Sequence, residues 1–206
     1  MSSLVPIPAN DNVDINLAYA SPSNVTSHCL YDSDRAKAYL HKDAIPLLDK
    51  AIALAAQQNY RLRILDAFRP TETQWALWHF FPDERFVAHP ERGSPHSRGV
   101  ALDVTLVDGQ GVALDMGTDF DDFTPRSYHG ALSLSQQAQA NRYCLLGIMV
   151  SAGWDFYIHE WWHYQLFNSK RYPLHSDKAI EGGMVAQDAR KYVPHKMAHA
   201  SSKERR

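Results

Sequence analysis

The chain has 206 residues, 45% hydrophobic and 21% charged, with a formal net charge of −2. That length suits one domain with a substantial core and is marginal for two. The near-neutral charge gives no electrostatic reason to expect nucleic acid or an anionic membrane, and it favours a small, roughly neutral ligand.

Cys29 and Cys144 are far apart and form no CxxC pair, which argues against a disulfide framework or a thiolate metal site. The N-terminal MSSLVPIPANDNVD has neither a basic nor an apolar leader region. No apolar run approaches the ~20 residues that span a bilayer. A reduced cytoplasmic protein is the expectation, although a chain stripped of a leader would read the same.

Residues to about Asp32 are rich in Pro, Asn, Ser and Asp and read as loop and short strand wrapped over the surface. From Asp43, AIPLLDKAIALAAQQ has helical spacing, with Asp43 as N-cap and Pro46 tolerable in the first turn. RLRILDAF reads as a strand entering the core, stopped by Pro70. Thr71 followed by Gln74 forms a capping-box signature for a helix through Trp75 and Trp78.

GVALDVTLV is the strongest strand, with β-branched residues in alternation. Asp108–Gly109 then signals a hairpin in which GVAL returns. A second long helix runs from about Ser135 to Ser151 with Gly153 just past its end, and WDFYIHEWWHYQLF reads as one or two strands meeting at a turn. The fold class that follows is α+β, one domain over residues 1–184 with a small central antiparallel sheet flanked by helices. Residues 185–206 read as a polar tail ending in KERR.

Three segments concentrate chemistry. In SPHSRGVALD, His96 lies in a Pro/Gly-bearing loop before the strong strand and Asp103 lies within it, on the face opposite Leu102 and Val104 and beside the small Ala101. In HEWWHY, Glu160 and His163 are three positions apart between tryptophans. Two imidazoles and one carboxylate make a three-ligand site for Zn²⁺, which leaves a fourth position for water. A carboxylate that is not a ligand, Glu160, can then move the water's proton to a leaving amine. In DAFRP, Arg69 stands at a strand end, where it can hold a developing oxyanion, and Asp66 can orient its guanidinium. Each segment alone has a structural reading, as a surface His–Asp pair, a packed aromatic strand or an arginine before a proline. Together they complete one mechanism.

These residues resemble a known family. SPHSRGVALD resembles the SxHxxGxAxD signature of the zinc D-Ala-D-Ala peptidases, with Ser94, His96, Gly99, Ala101 and Asp103 at the signature positions. EWWHY looks like the family's second motif, and DAFRP is similar to the segment carrying its transition-state arginine. The resemblance implies one Zn²⁺ per chain held by His96, Asp103 and His163 in a cleft on the sheet. It implies Glu160 as general base and acid, and Arg69 as stabiliser of the tetrahedral intermediate. EWWHY and MGTDFDDF look most like the dipeptidase branch typified by vancomycin resistance. There Asp121, with Asp122 as competitor, would hold the substrate's free ammonium, and Ser94 would orient its carboxylate end or its carbonyl.

The implied substrate is the small molecule D-Ala-D-Ala, with no nucleic acid or membrane partner. Alternatives of the same architecture are a D,D-carboxypeptidase or peptidoglycan endopeptidase, a zinc D-amino-acid amidase and a non-catalytic wall-binding module. YASPSNVTS, beginning at Tyr19, matches the family weakly, and no binding residue is carried over from it. His129 and His159 are weak candidates to touch the site, and His195 and His199 read as part of a solvated tail. Oligomeric state leaves no trace in the sequence.

Overall fold

The computed structural model describes residues 3–194. Its centre is a five-stranded sheet made of β2 (Val13–Ile15), β4 (Arg61–Asp66), β5 (Ala101–Val107), β6 (Asp155–Phe156) and β7 (His163–Gln165), in the order β2-β4-β5-β7-β6. Strands β1 (Leu4–Pro6) and β3 (Tyr39–His41) form a separate antiparallel ribbon. Helix α1 (Ile45–Gln57) packs on α3 (Gln136–Ala152) and on β4. Their core contributions include Leu48, Ala51 and Ala55 from α1, Leu145 and Met149 from α3, and Leu62 and Ile64 from β4. The result is α+β, with helices around a central sheet.

The sheet is mixed rather than wholly antiparallel. β2 runs parallel to β4, because the chain returns to β4 by a long crossover through β3 and α1 instead of a hairpin. All seven residues of β5 are buried, so this strand has no solvent face and both of its sides pack. After β5 the chain turns at Asp108, but the expected return strand is reduced to a bridge between Val107 and Ala113. The Asp108 carboxylate accepts the N–H groups of Gln110 and Val112, and this local loop replaces the ladder.

Helix starts differ in detail from the sequence expectation. A 3-10 turn over Lys42–Ala44 precedes α1, so Ala44 rather than Asp43 is the N-cap, with Pro46 in the first turn as expected. Helix α2 (Thr71–Phe80) forms where the pattern placed it, but Pro70 is its N-cap and no capping box exists. Gln74 points inward instead. α3 has Ser135 as a true N-cap, its hydroxyl accepting the N–H of Ala138, and Gly153 as its left-handed C-cap.

Two expectations about the C-terminal third are corrected. WDFYIHEWWHYQLF, expected as one or two strands meeting at a turn, yields only the short β6 and β7, and the turn between them carries both His159 and Glu160. Residues 185–192, expected in a polar tail, are folded onto α2. Met184, Val185 and Ala189 are buried, and Tyr192 stacks on His79. Asp177 accepts the N–H groups of Met184 and Val185 and pairs with Arg190, which ties the segment down. The folded body therefore extends beyond residue 184, while His195 and His199 lie outside the described residues. Among the described residues no helix is long and apolar enough to cross a membrane.

Gly99 ends the 3-10 turn over His96–Arg98 with φ 68°, and a Cβ there would collide with the Leu4 side chain. Gly99→Ala is expected to destabilise the protein by about 1–2 kcal/mol. That would be read as a lower urea midpoint at constant slope. An unchanged midpoint would show that the turn escapes the left-handed region at no cost.

Candidate active site

The register of the sheet brings the chemistry together. Asp103 on β5 pairs with His163 on β7 on one side and with Asp66 on β4 on the other. A bulge between Ile64 and Asp66 inserts Leu65, and so turns Asp66 rather than Leu65 opposite Asp103. His96 arrives from the 3-10 turn immediately before β5.

The ring tautomers follow from their partners. His96 Nδ1 lies 2.7 Å from the carbonyl of Ala67, which only accepts, so that nitrogen carries the proton. His163 Nε2 lies 3.1 Å from Gln165 Oε1 and donates likewise. The remaining nitrogens, His96 Nε2 and His163 Nδ1, then present lone pairs 3.0 Å apart. Both face Asp103 Oδ1, at 3.2 and 3.1 Å. Three lone pairs in mutual contact repel unless a cation stands among them. Tetrahedral Zn²⁺ with ligand bonds of about 2.0–2.1 Å would separate its donors by about 3.3 Å. His96, Asp103 and His163, all buried, form a ligand set that fits such an ion.

Arg69 lies beside this cluster and is 6% exposed. Its Nε donates to Asp66 Oδ2 at 2.8 Å, Nη2 to Asp103 Oδ2 at 3.4 Å and Nη1 to Gln74 Oε1 at 3.1 Å. A guanidinium has five N–H groups, so one on each terminal nitrogen stays uncommitted. The Asp66 carboxylate also accepts the Tyr31 hydroxyl at 2.7 Å. Tyr19 covers the guanidinium, its ring centroid 5.2 Å from Cζ.

Glu160 and Asp121 complete the cleft. Glu160 Oε2 lies 3.8 Å from His163 Nδ1. Burial, and then the negative charges of Asp103 and Asp121, raise the Glu160 carboxyl well above its ordinary pKa, against the pull of Arg69. Asp121 is 8% exposed, sits in the left-handed region at φ 61°, and accepts the Tyr19 hydroxyl at 2.8 Å. Burial and the charge of Asp103 push its pKa up to about 8. Ser94 accepts the N–H of His96 at 3.1 Å and leaves its own hydroxyl proton free to donate.

The cavity these groups share has a volume of about 220 Å³. His96, Asp103, His163, Glu160, Arg69, Asp121 and Ser94 all line it, and Asp66 stands behind Arg69. Asp122 does not reach it, and its carbonyl takes the Ser127 hydroxyl instead. His159 stacks on Tyr128, and His129 is half-buried beside the Glu160 turn, where desolvation and Arg142 hold its pKa down to about 4. Sequence reading missed Tyr19, Tyr31, Gln74 and Gln165. Tyr19 opens the one segment in which the family pattern fades, and Gln74 was taken for a cap residue.

A family model described as D-ala-D-ala dipeptidase matches residues 8–180, which include every residue of this cleft. The D-alanyl-D-alanine dipeptidase of Escherichia coli (strain K12) is 41% identical over 167 residues, covering 81% of this chain and 86% of that protein. The D-alanyl-D-alanine dipeptidase of Enterococcus faecalis (strain ATCC 700802 / V583) is 32% identical over 146 residues, covering 58% of this chain and 72% of its own length. That of Enterococcus faecium is 35% identical over 136 residues, covering 57% and 67%. With a match spanning most of its length and a cleft assembled from the matched residues, the chain belongs to the D-ala-D-ala dipeptidase family of peptidases.

Proposed function

We propose that this protein hydrolyses the free dipeptide D-alanyl-D-alanine to two molecules of D-alanine, with one Zn²⁺ held by His96, Asp103 and His163. The observation that carries the reading is the meeting, in one small cavity, of a ligand set that fits a cation with a further buried carboxylate, Asp121. At about 220 Å³ the cavity lies below the roughly 300–1,000 Å³ of typical ligand pockets, which suits a dipeptide.

Bound Zn²⁺ supplies a Lewis acid that acidifies water and polarises the scissile carbonyl. Glu160 accepts a proton from the attacking water and returns it to the nitrogen of the leaving amine. Its raised proton affinity suits both halves of that transfer. Arg69 presents its two uncommitted N–H groups to the oxygen on which negative charge develops. Asp121 holds the ammonium of the amino-terminal D-alanine, and the Ser94 hydroxyl donates to the carboxylate end or the carbonyl. An acylated amine would leave Asp121 buried without its cation, which is the basis for sparing longer peptides.

Purified protein should carry one zinc per chain by elemental analysis. His96→Ala and His163→Ala should each lose it, and full occupancy in both variants would disqualify the ligand set. Turnover of D-Ala-D-Ala should exceed that of N-acetyl-D-Ala-D-Ala by at least about 100-fold. Glu160→Ala should keep the metal while kcat falls by about 10²–10⁴. Equal cleavage of the acylated substrate would indicate a carboxypeptidase, and metal without either cleavage would overturn the substrate assignment in favour of an amidase or a binding module. Asp121→Asn should raise KM for the free dipeptide by about 10–150-fold, as expected for losing a charge-assisted hydrogen bond. An unchanged KM would remove Asp121 from ammonium binding.

A further inference from the structure

The three anchors of Arg69 differ in kind. Asp66 and Asp103 are anionic, and each also serves another group: Asp66 takes the Tyr31 hydroxyl, and Asp103 faces both ligand histidines. The third anchor, Gln74, is neutral and 1% exposed, and it makes two hydrogen bonds. Its Oε1 accepts from Arg69 Nη1 at 3.1 Å, and its Nε2 donates to the carbonyl of Ala88 at 2.8 Å. The orientation of the amide is fixed by these partners, because Arg69 can only donate and the Ala88 carbonyl can only accept.

A guanidinium held through Nε and Nη2 alone can still rock about the line joining those contacts, and the N–H on Nη1 would sweep across the cavity. Gln74 closes that freedom without adding charge. It sits in the first turn of α2, whose start is set by Pro70 directly after Arg69, so one rigid corner carries both the arginine and its stop. The amide, braced on the Ala88 carbonyl, thereby adds an uncharged third hydrogen bond to the two from Asp66 and Asp103.

We infer that Gln74 is the positioning residue of Arg69: its side-chain amide, braced on the Ala88 carbonyl, aims the uncommitted N–H groups of the guanidinium into the cleft. The inference rests on the reading that Arg69 acts on the substrate carbonyl. Gln74 touches no reacting atom. A competing role exists for the same side chain, because Ala88 belongs to the segment that supplies Glu84, Arg85 and Phe86 to the cavity wall. Gln74 would then matter only as an anchor of that wall.

The test is a double-mutant cycle on the metal-loaded enzyme with D-Ala-D-Ala, using Gln74→Met alone and combined with Arg69→Ala or Arg69→Lys. Zinc content and thermal midpoint are checked for each variant. Alone, Gln74→Met should lower kcat by about 10–100-fold, as small misplacements of a catalytic group do, with KM changed less than about threefold. Combined with either Arg69 variant it should cost less than about twofold more. An equal loss in both backgrounds, or no loss alone, would overturn the inference and assign Gln74 to the wall. A second readout does not depend on turnover. In ¹⁵N–¹H spectra, the Arg69 Nη protons should be resolved and slowly rotating in the parent protein and averaged in Gln74→Met. Identical spectra would also overturn it. If the parent enzyme fails to cleave D-Ala-D-Ala, the functional proposal falls, while the spectra still decide whether Gln74 holds the guanidinium.

Discussion

Four carboxylates, Asp66, Asp103, Asp121 and Glu160, are buried around one guanidinium, that of Arg69. The rest of the site answers to this crowding. Buried charge is costly unless paired, and four negative charges against one positive leave three unbalanced if all ionise. Part of the answer is proton uptake, seen in the raised affinities of Asp121 and Glu160. A divalent ion between His96, Asp103 and His163 would account for two of the three charges, and an ammonium beside Asp121 for the last. On that reading the cleft would receive positive charge at two separated points. The carboxylate at the other end of the proposed dipeptide would then need neutral donors, and the Ser94 hydroxyl would be one.

The sheet makes this crowding possible because it fixes three of the participants in one row. Asp66, Asp103 and His163 lie opposite one another on adjacent strands, and the bulge at Leu65 is what brings Asp66 into line. Strand register is quantised, so a slip of one residue would send Asp103 to the opposite face and dissolve the cluster. The groups that need more freedom of placement come from irregular chain instead. His96 comes from a 3-10 turn closed by Gly99, Glu160 from the turn before β7, and Asp121 from a loop where it adopts a left-handed backbone. Aspartate tolerates that conformation better than most residues, and its tight turn aims the carboxylate inward.

Much of this was legible in sequence because the chemistry sits in short contiguous motifs. DAFRP, SPHSRGVALD and HEWWHY each carry residue types whose spacing is set by a strand end or a turn, so local reading reached Arg69, His96, Asp103, Glu160 and His163. What local reading missed is held by distance. Tyr19 reaches Asp121 across 102 positions and Tyr31 reaches Asp66 across 35, from a segment without periodicity. The parallel pairing of β2 and the docking of residues 185–192 on α2 are likewise tertiary. Gln74 shows a different failure. Its spacing from Thr71 satisfies the capping pattern, but Pro70 takes the cap position and a buried arginine competes for the amide. A propensity rule yields there to a polar group that must be satisfied.

On the proposed function, the walls of the cleft would also limit the length of what enters. Phe86 and Phe123 stack with centroids 5.1 Å apart, and the Tyr157 hydroxyl donates to the Arg85 carbonyl at 2.9 Å, so the loops after α2, after β5 and after β6 are tied together along the cavity wall. This barrier is steric and owes nothing to charge. In its proposed role the Asp121 carboxylate would act by a separate principle, since a carboxylate discriminates between an ammonium and an amide of nearly the same size. A longer peptide would then meet both obstacles. The two features are different contacts, the Phe86–Phe123 stack and the hydrogen bond from Tyr19 to Asp121. On the proposed function, selectivity for a short, free-ended ligand would be built twice, once in shape and once in charge.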